Sequence, residues 1–128
     1  MTEKKPKILL IDDEKEFITT LAERLELRGY DADIAESGED GLALLGKAGY
    51  DVAILDLMMP GLNGIETLVQ IKNIDTDLPV ILLTGHGSTK EGMEGMRIGA
   101  FDFLMKPLDI NELLSKIKLA LEQGAKES

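Results

Sequence analysis

An apolar run is followed directly by an acidic residue and then by a turn in the stretch DVAILDLMMPGLNGIE (residues 51–66). The run from Val52 to Leu55 predicts a strand that is buried on both faces. Asp56 follows at once, before a Met-Met-Pro-Gly turn. Because a carboxylate without partners is costly to bury, the position of Asp56 predicts a polar pocket at the end of this strand.

Four further apolar runs predict strands, and segments with apolar residues at helical spacing lie between and after them. The runs are KILLID (7–12), DADIAE (31–36), PVILLT (79–84) and FDFLM (101–105). The apolar stripes of the predicted helices include Phe17, Leu21 and Leu25, then Leu42 and Leu45, then Ile65, Leu68 and Val69, and finally Leu113, Ile117, Ala120 and Leu121. Strands that alternate with helices predict an α/β fold, with a parallel sheet covered by helices on both faces.

Glycines bear on both the ends and the stability of the predicted helices. Gly29, Gly49 and Gly99 each stand where a helical segment gives way to a strand, which predicts the left-handed helix ending that glycine tolerates. Gly92 and Gly95 lie inside the fourth predicted helix, where each glycine costs roughly 1 kcal/mol relative to alanine. We therefore expect this helix to be the least stable of the five, and alanine at both sites to stabilise it.

The composition restricts the classes of function. With 128 residues the chain has the size of one domain, and the absence of cysteine excludes disulfides, zinc–cysteine sites and thiol catalysis. A net charge of −10 disfavours direct binding to nucleic acid and favours a divalent cation. Neither a signal sequence nor an apolar run of the roughly 20 residues that a membrane span needs is found, which predicts a cytoplasmic protein without a membrane partner.

Polar side chains follow four of the five predicted strands. Asp12 and Asp13 stand at the end of the first strand, Asp56 ends the third, Thr84 ends the fourth, and Lys106 stands at the end of the fifth. Because the carboxyl ends of parallel strands share one edge of the sheet, we expect these groups to converge. Three carboxylates at close range repel one another, so the sequence predicts a cation among them. Mg²⁺, which prefers oxygen ligands, is the natural candidate.

Each of these residues also has an ordinary structural explanation. Asp12 or Asp13 could cap the following helix, since Asp13 begins a D-x-x-E pattern. Asp56 could serve only the turn that follows it, Thr84 could be a plain strand residue, and Lys106 could be a solvated charge. The joint pattern favours a shared site over these separate explanations.

Four motifs, in this order, resemble the receiver domain of two-component response regulators. They are ILLIDDE (8–14), DVAILDLMMPGLNGIE (51–66), VILLTGHGS (80–88) and GAFDFLMKP (99–107). The resemblance implies a flavodoxin-like, doubly wound sheet of five parallel strands in the order 2-1-3-4-5. It also implies a phosphorylation-activated signalling switch, whose only catalysis is its own phosphoryl transfer and autodephosphorylation. Because the chain ends in GAKES soon after the last predicted helix, we expect residues 1–128 to form one receiver domain with a core of about 6–123 and no effector domain.

The resemblance assigns roles to the acids and the lysine at the strand ends. It implies that Asp56 accepts a phosphoryl group from the phosphohistidine of a sensor histidine kinase or a phosphotransfer protein. Asp13, Asp56 and the backbone carbonyl of Met58 would hold Mg²⁺ directly, and Asp12 would act through a metal-bound water. Lys106 would pair with the phosphoryl oxygens. The kinase is expected to dock on the helix that follows Asp13, and a homodimer is left open.

A second set of residues resembles the conformational switch of the family. Thr84 and Phe103 match the pair in which a hydroxyl bonds to the phosphoryl group and an aromatic ring then turns inward. With Asp56 and Lys106, Thr84 completes the groups expected to take part in phosphoryl transfer. Phe103 lacks the hydroxyl of the tyrosine that is frequent at this position, so the resemblance implies a packing role alone. The Lys106–Pro107 bond matches a junction that the family keeps cis.

His86, the only histidine, permits two interpretations. It could be a phosphodonor or a metal ligand, but a plain loop side chain is the more ordinary interpretation and the one favoured here. Its position two residues after Thr84 matches that of Met58, two residues after Asp56. In the receiver family these two side chains flank the path of the water that hydrolyses the acyl phosphate, so Met58 and His86 are expected to tune its lifetime.

Two other classes of protein use a similar sheet or a similar acid. An aspartyl-phosphate phosphatase of the haloacid dehalogenase type would need a second aspartate two residues after the nucleophile, where this chain has Met58. A flavin-binding module would need a loop rich in serine, threonine and glycine after the first strand, where this chain has Asp12, Asp13 and Glu14. Both departures disfavour these alternatives.

Overall fold

Strands and helices alternate along the described chain, as the sequence predicts. The computed structural model describes residues 5–59, 63–85 and 89–127, and within these ranges it has five strands and five helices. The strands are β1 (Lys7–Ile11), β2 (Asp31–Ala35), β3 (Val52–Asp56), β4 (Val80–Thr84) and β5 (Asp102–Met105). The helices are α1 (Lys15–Leu27), α2 (Gly38–Lys47), α3 (Gly64–Ile74), α4 (Thr89–Ile98) and α5 (Ile110–Glu127). None of these helices combines the length and the apolar character that crossing a membrane demands.

All five strands are parallel and lie in the order β2-β1-β3-β4-β5, which confirms the predicted flavodoxin-like sheet. On one side of the central strand β3, Ile11 of β1 is paired with Leu55. On the other side, Leu83 of β4 is paired with Asp56. From β1 the chain adds β2 on one side of the sheet, and then β3, β4 and β5 on the other side. This change of direction between β1 and β3 leaves a crevice at the carboxyl ends of these two strands.

Side chains on the two faces of the sheet form two apolar clusters. The helices α2, α3 and α4 cover one face, whose buried cluster includes Leu9, Ile11, Leu55, Leu68, Ile71 and Leu82. The helices α1 and α5 cover the other face, whose buried cluster includes Ile8, Leu10, Ile18, Leu25, Ile54, Ile81, Leu113 and Ile117. Burial of both faces explains why the strand sequences are almost continuously apolar and do not alternate.

The three predicted helix-to-strand junctions are not built alike. Gly29 after α1 and Gly99 after α4 have φ angles of +91° and +125°, in the left-handed region that favours glycine. Gly49 does not adopt this conformation, because α2 ends at Ala48 in an extended conformation with a φ angle of −146°. The prediction is therefore correct for Gly29 and Gly99 and wrong for Gly49.

The two glycines of α4 allow this helix to lie close to the sheet. A Cβ atom at Gly92 would lie 2.6 Å from the ring of Phe103, closer than such atoms can approach. A Cβ atom at Gly95 would overlap with Cδ1 of Leu82, which is fully buried on β4. Alanine at these positions would therefore displace Phe103 and Leu82. This packing contradicts the expectation that alanine at both sites would stabilise the helix.

Candidate functional site

Three carboxylates meet at the carboxyl end of the sheet, where the strand ends predict them. Asp12 follows β1, Asp13 is the next residue and Asp56 ends β3, and one carboxylate oxygen from each lies within 4.8 Å of the others. Asp12 and Asp56 are buried, whereas Asp13 is exposed. Together they form a group of oxygen donors that could hold a metal ion.

Lys106 lies among these acids and not in solvent. Its Nζ atom is 2.9 Å from Asp12, 2.6 Å from Glu14 and 3.5 Å from Asp56. The ring centroid of Phe17 lies 4.6 Å from the same atom, a cation–π contact. The interpretation of Lys106 as a solvated charge is therefore wrong. Its ammonium group provides part of the positive charge that the crowded acids require.

Backbone N–H groups fix the orientation of the two buried acids. The N–H of Glu14 donates to Oδ1 of Asp12 at 2.9 Å, and the N–H of Met58 donates to Oδ1 of Asp56 at 3.0 Å. In both acids Oδ2 is the oxygen paired with Lys106. Each acid thus uses one oxygen to hold the local chain and presents the other to the shared site.

The start of α1 does not depend on a capping side chain. Glu14 is the N-cap residue, and its side chain accepts no hydrogen bond from the helix. Because Glu14 and not Asp13 occupies the N-cap position, helix capping is wrong as an explanation of Asp13. Asp12 does bind a backbone N–H near the helix start, but it also belongs to the acid group. A role at the start of α1 therefore does not account for the position of Asp13 beside two buried acids.

The charges in the site shift the pKa values of Asp12 and Lys106. Burial raises the pKa of Asp12 from 3.8 to about 6; hydrogen bonds from Glu14 and Lys106 oppose this rise, and the charge of Asp56 adds to it. Burial lowers the pKa of Lys106, but hydrogen bonds to Glu14 and Asp12 and the charges of the nearby carboxylates outweigh burial, so the net pKa is raised. Lys106 therefore carries its charge at neutral pH.

Replacing Asp12 with asparagine is expected to change how stability depends on pH. The folded protein holds the proton of Asp12 to a higher pH than the unfolded chain does. This group therefore stabilises the fold below about pH 4, and the contribution is lost as the pH rises through about 6. The difference in pKa corresponds to about 3 kcal/mol.

The experiment compares the free energy of unfolding of Asp12→Asn with that of the wild type in EDTA. The value for the variant minus the value for the wild type should rise by up to about 3 kcal/mol between pH 4 and pH 7. Urea unfolding at each pH measures it, and parallel pH profiles would contradict the raised pKa.

Thr84 and Phe103 lie on the neighbouring strands β4 and β5. Thr84 is fully buried, and its hydroxyl donates to the carbonyl of Leu104 at 3.5 Å, a long and weak hydrogen bond. The backbone N–H of Lys106 donates to the carbonyl of Thr84 at 2.8 Å, which ties the ends of the two strands together. Phe103 is half-buried and packs against Gly92 of α4. The bond between Lys106 and the proline that follows is cis, as expected.

The two residues expected to tune hydrolysis are described only in part. Met58 is 57% exposed, and its backbone N–H donates to Oδ1 of Asp56. His86 lies outside the described residues. The expected effect of both side chains on the lifetime of an acyl phosphate stays a prediction.

Comparison with known proteins decides the family. A family model of the response regulator receiver domain matches residues 8–118, which is most of the chain. The chain belongs to this family. Receiver domains are parts of the response regulators of two-component systems and interact with histidine kinases. Membership of the family decides against both the phosphatase and the flavin-binding module.

Curated relatives that match this chain along nearly its whole length are longer than it is. The chain is 40% identical over 120 residues to the uncharacterized transcriptional regulatory protein YkoG of Bacillus subtilis, a match that covers 94% of this chain and 53% of YkoG. It is 38% identical over 125 residues to the transcriptional regulatory protein GlrR of Escherichia coli, covering 98% of this chain and 28% of GlrR. The receiver thus spans about half, or less, of the length of these relatives.

Solved structures share the fold of this receiver closely. A receiver domain protein from Clostridium thermocellum matches with a TM-score of 0.92 and 34% identity, covering 96% of this chain and 99% of that one. NtrX from Brucella abortus, solved in complex with ADP, matches with a TM-score of 0.92 and 28% identity, covering 97% of this chain and 29% of that one. The strand order of this receiver is therefore that of its family.

The structure adds one residue that the sequence did not single out. Glu14 contacts Lys106 at 2.6 Å, a shorter distance than Lys106 has to either buried aspartate. In the sequence, Glu14 is only the third acid of a DDE run, and such a run is also typical of a helix start. The two residues are 92 positions apart, so only the fold reveals the contact.

Replacing Asp13 with alanine is expected to stabilise the metal-free receiver and to weaken its binding of Mg²⁺. The substitution relieves repulsion among the three acids and removes no helix cap. The melting temperature in EDTA should therefore rise by about 2–5 °C. Asp77→Ala, which removes an exposed acid before the opposite end of β4, is the matched control and should leave both quantities unchanged. A lower melting temperature for Asp13→Ala would contradict repulsion in the site.

Proposed function

We propose that this receiver is a switch driven by phosphorylation of Asp56. One observation carries the proposal: the carboxylate of Asp56 is buried at the end of β3, between an acid group and the ammonium of Lys106. A carboxylate can act as a nucleophile and form a covalent intermediate, and nearby cations favour its reaction with an anionic phosphoryl group. The donor would be the phosphohistidine of a sensor histidine kinase or of a phosphotransfer protein.

In the proposed reaction, a carboxylate oxygen of Asp56 forms a bond to phosphorus while the bond from phosphorus to the imidazole nitrogen of the donor breaks. The imidazole keeps the electron pair and takes a proton from solvent, and Asp56 becomes an acyl phosphate. The N–H of Met58 holds Oδ1 of Asp56, so Oδ2 is the oxygen that lies toward Lys106. The ammonium of Lys106 can then pair with the phosphoryl oxygens, since positioning and charge supply most of the catalysis in phosphoryl transfer.

The acid group fits a hard divalent cation such as Mg²⁺. Its donors are all carboxylate oxygens, the ligand type that Mg²⁺ prefers. Asp13 and Asp56, with the backbone carbonyl of Met58, would hold the ion, and Asp12 would act through a bound water. When bound, Mg²⁺ supplies positive charge that offsets the charge of the transferred phosphoryl group. Lys106, which follows β5, would supply the remaining positive charge.

Thr84 and Phe103 form the proposed route from the phosphoryl group to the surface. The hydroxyl of Thr84 gives up only a 3.5 Å hydrogen bond to Leu104, so its exchange for a bond to a charged phosphoryl oxygen is favourable. Movement of Thr84 would leave space into which the ring of Phe103 turns. Because Phe103 packs against Gly92, this rotation would change the contacts of α4.

The surface of α1 is the proposed docking site for the kinase. Phe17 and Leu21 of α1, with Leu108 and Ile110 near the start of α5, line a groove of about 440 Å³. A partner in this groove would lie beside the site, because the Phe17 ring is in contact with Lys106. YkoG and GlrR are named transcriptional regulatory proteins, so we infer that the phosphorylated receiver controls an output outside residues 1–128.

Treatment of the protein with acetyl phosphate, a small phosphoryl donor, tests the proposal. With Mg²⁺, intact-protein mass spectrometry should show the addition of one phosphoryl group per chain, and EDTA should prevent it. Hydroxylamine, which cleaves acyl phosphates, should remove the group. The absence of an adduct, or an adduct that resists hydroxylamine and forms without Mg²⁺, would contradict the proposed function.

A further inference from the structure

All three hydrogens of the Lys106 ammonium group are engaged by carboxylates. A lysine ammonium has three donors. Asp12, Glu14 and Asp56 accept from it at 2.9, 2.6 and 3.5 Å respectively. A phosphoryl group on Asp56 would present new acceptor oxygens to the same ammonium. One donor passes to the group from Asp56 itself, and a second bond to the group requires that the contact with Asp12 or Glu14 lengthen or break.

The three carboxylates differ in how readily they can release Lys106. The side chain of Asp12 is 0% exposed, so loss of its partner would leave a charge buried. Asp56, whose side chain is 4% exposed, would itself carry the group, and the phosphoryl oxygens would take over its contact with Lys106. The side chain of Glu14 is 60% exposed, so water can take the place of Lys106. The Nζ atom also lies 2.6 Å from Glu14 but 3.5 Å from Asp56, so the ammonium lies nearer to Glu14 than to the proposed phosphoryl acceptor.

We propose that Glu14 is a positioning residue that competes with the phosphoryl group for Lys106 and so sets how readily the receiver accepts that group. The proposal rests on the proposed phosphorylation of Asp56. Helix capping does not account for the contact, because the Glu14 side chain accepts no hydrogen bond at the start of α1. Removal of the Glu14 carboxylate should let Lys106 move toward Asp56 and bind a phosphoryl group more tightly.

A titration with beryllofluoride, which forms a tetrahedral adduct on a carboxylate and so mimics a phosphoryl group, compares four proteins in the presence of Mg²⁺. Binding is followed by the backbone amide NMR signals of Thr84 and Lys106. Glu14→Gln is expected to lower the half-saturating concentration about fivefold relative to the wild type. Glu14→Asp keeps the charge but draws the carboxylate back by one methylene group, so it should shift the concentration in the same direction. Glu16→Gln removes an exposed charge from the first turn of the same helix and should change it by less than about twofold.

The side-chain NMR signals of Lys106 provide a readout without any phosphoryl analogue. In the metal-free protein, the ¹³Cε and ¹⁵Nζ shifts of Lys106 should change in Glu14→Gln and Glu14→Asp and stay unchanged in Glu16→Gln. A purely structural role of Glu14 would lower the melting temperature of its variants and would not tighten beryllofluoride binding.

Each outcome decides the proposal. Equal half-saturating concentrations in the wild type and Glu14→Gln would overturn it and leave phosphorylation of Asp56 intact. If Glu14→Gln and Glu16→Gln lowered the half-saturating concentration equally, the loss of negative charge and not the contact with Lys106 would be the cause. The same would follow if Glu14→Asp had the half-saturating concentration of the wild type. Either result would also overturn the proposal. If the wild type binds no beryllofluoride and Asp56 takes no phosphoryl group, the proposed function fails, and the role of Glu14 fails with it.

Discussion

Asparagine in place of Asp56 is expected to reduce phosphoryl incorporation from acetyl phosphate to background. The amide lacks the nucleophilic carboxylate oxygen and carries no charge for a metal ion. The fold at the end of β3 should survive, because asparagine can still accept the N–H of Met58 through its own Oδ1 atom. Intact-protein mass spectrometry measures incorporation, and a melting curve shows that the variant is folded.

Asp51→Asn is the matched control for this substitution, because it places the same change at the opposite end of β3. Asp51 precedes the strand and accepts the backbone N–H of Lys7 at 2.8 Å. The control should incorporate phosphoryl groups as the wild type does. Undiminished incorporation in Asp56→Asn, or an equal loss in both variants, would speak against Asp56 as the acceptor.

Gly64→Ala is expected to destabilise the receiver by about 1–3 kcal/mol. Gly64 is the first residue of α3, and a Cβ atom there would lie 2.8 Å from the carbonyl carbon and oxygen of Leu57. The backbone of Leu57 is held in place, because its N–H donates to the carbonyl of Leu83 on β4 at 2.9 Å. Since Leu57 adjoins Asp56, the strain should also slow phosphorylation. Thermal unfolding and the acetyl phosphate reaction measure the two effects.

Gly46→Ala provides a control with the opposite expected sign. Gly46 lies inside α2, and an added Cβ atom there would meet nothing within 4 Å. Alanine should therefore stabilise the helix by up to about 1 kcal/mol. If Gly64→Ala also raised the melting temperature, the close approach of α3 to the chain after Asp56 would not constrain the fold.

The acid group could be predicted from the sequence because it depends only on strand type and sheet topology. The apolar run of β3 determines that Asp56 lies at the carboxyl end of this strand. In the same way, β1 determines the positions of Asp12 and Asp13, which follow it. Parallel strands then bring their carboxyl ends to one edge without any knowledge of side-chain conformation. The two faces of the core follow from the same apolar runs.

Contacts that depend on the distance between a helix and the sheet could not be predicted in this way. In the sequence alone, Gly95 is a residue that destabilises its helix, because helix propensity takes no account of packing against the sheet. In the fold, Gly95 is where α4 approaches Leu82, and the Cβ atom of an alanine there would have to displace the Leu82 side chain. The pairing of Glu14 with Lys106 likewise depends on how far two long side chains reach across the strand ends.

Chemical trapping of the phosphorylated residue tests directly whether Asp56 carries the phosphoryl group. After reaction with acetyl phosphate and Mg²⁺, borohydride reduces an aspartyl phosphate to homoserine, and tandem mass spectrometry of the peptides locates the reduced residue. We expect reduction at Asp56 and at no other aspartate, with none in the presence of EDTA. Reduction at Asp12 or Asp13 with Asp56 intact, or a phosphoryl group found on His86, would contradict this expectation.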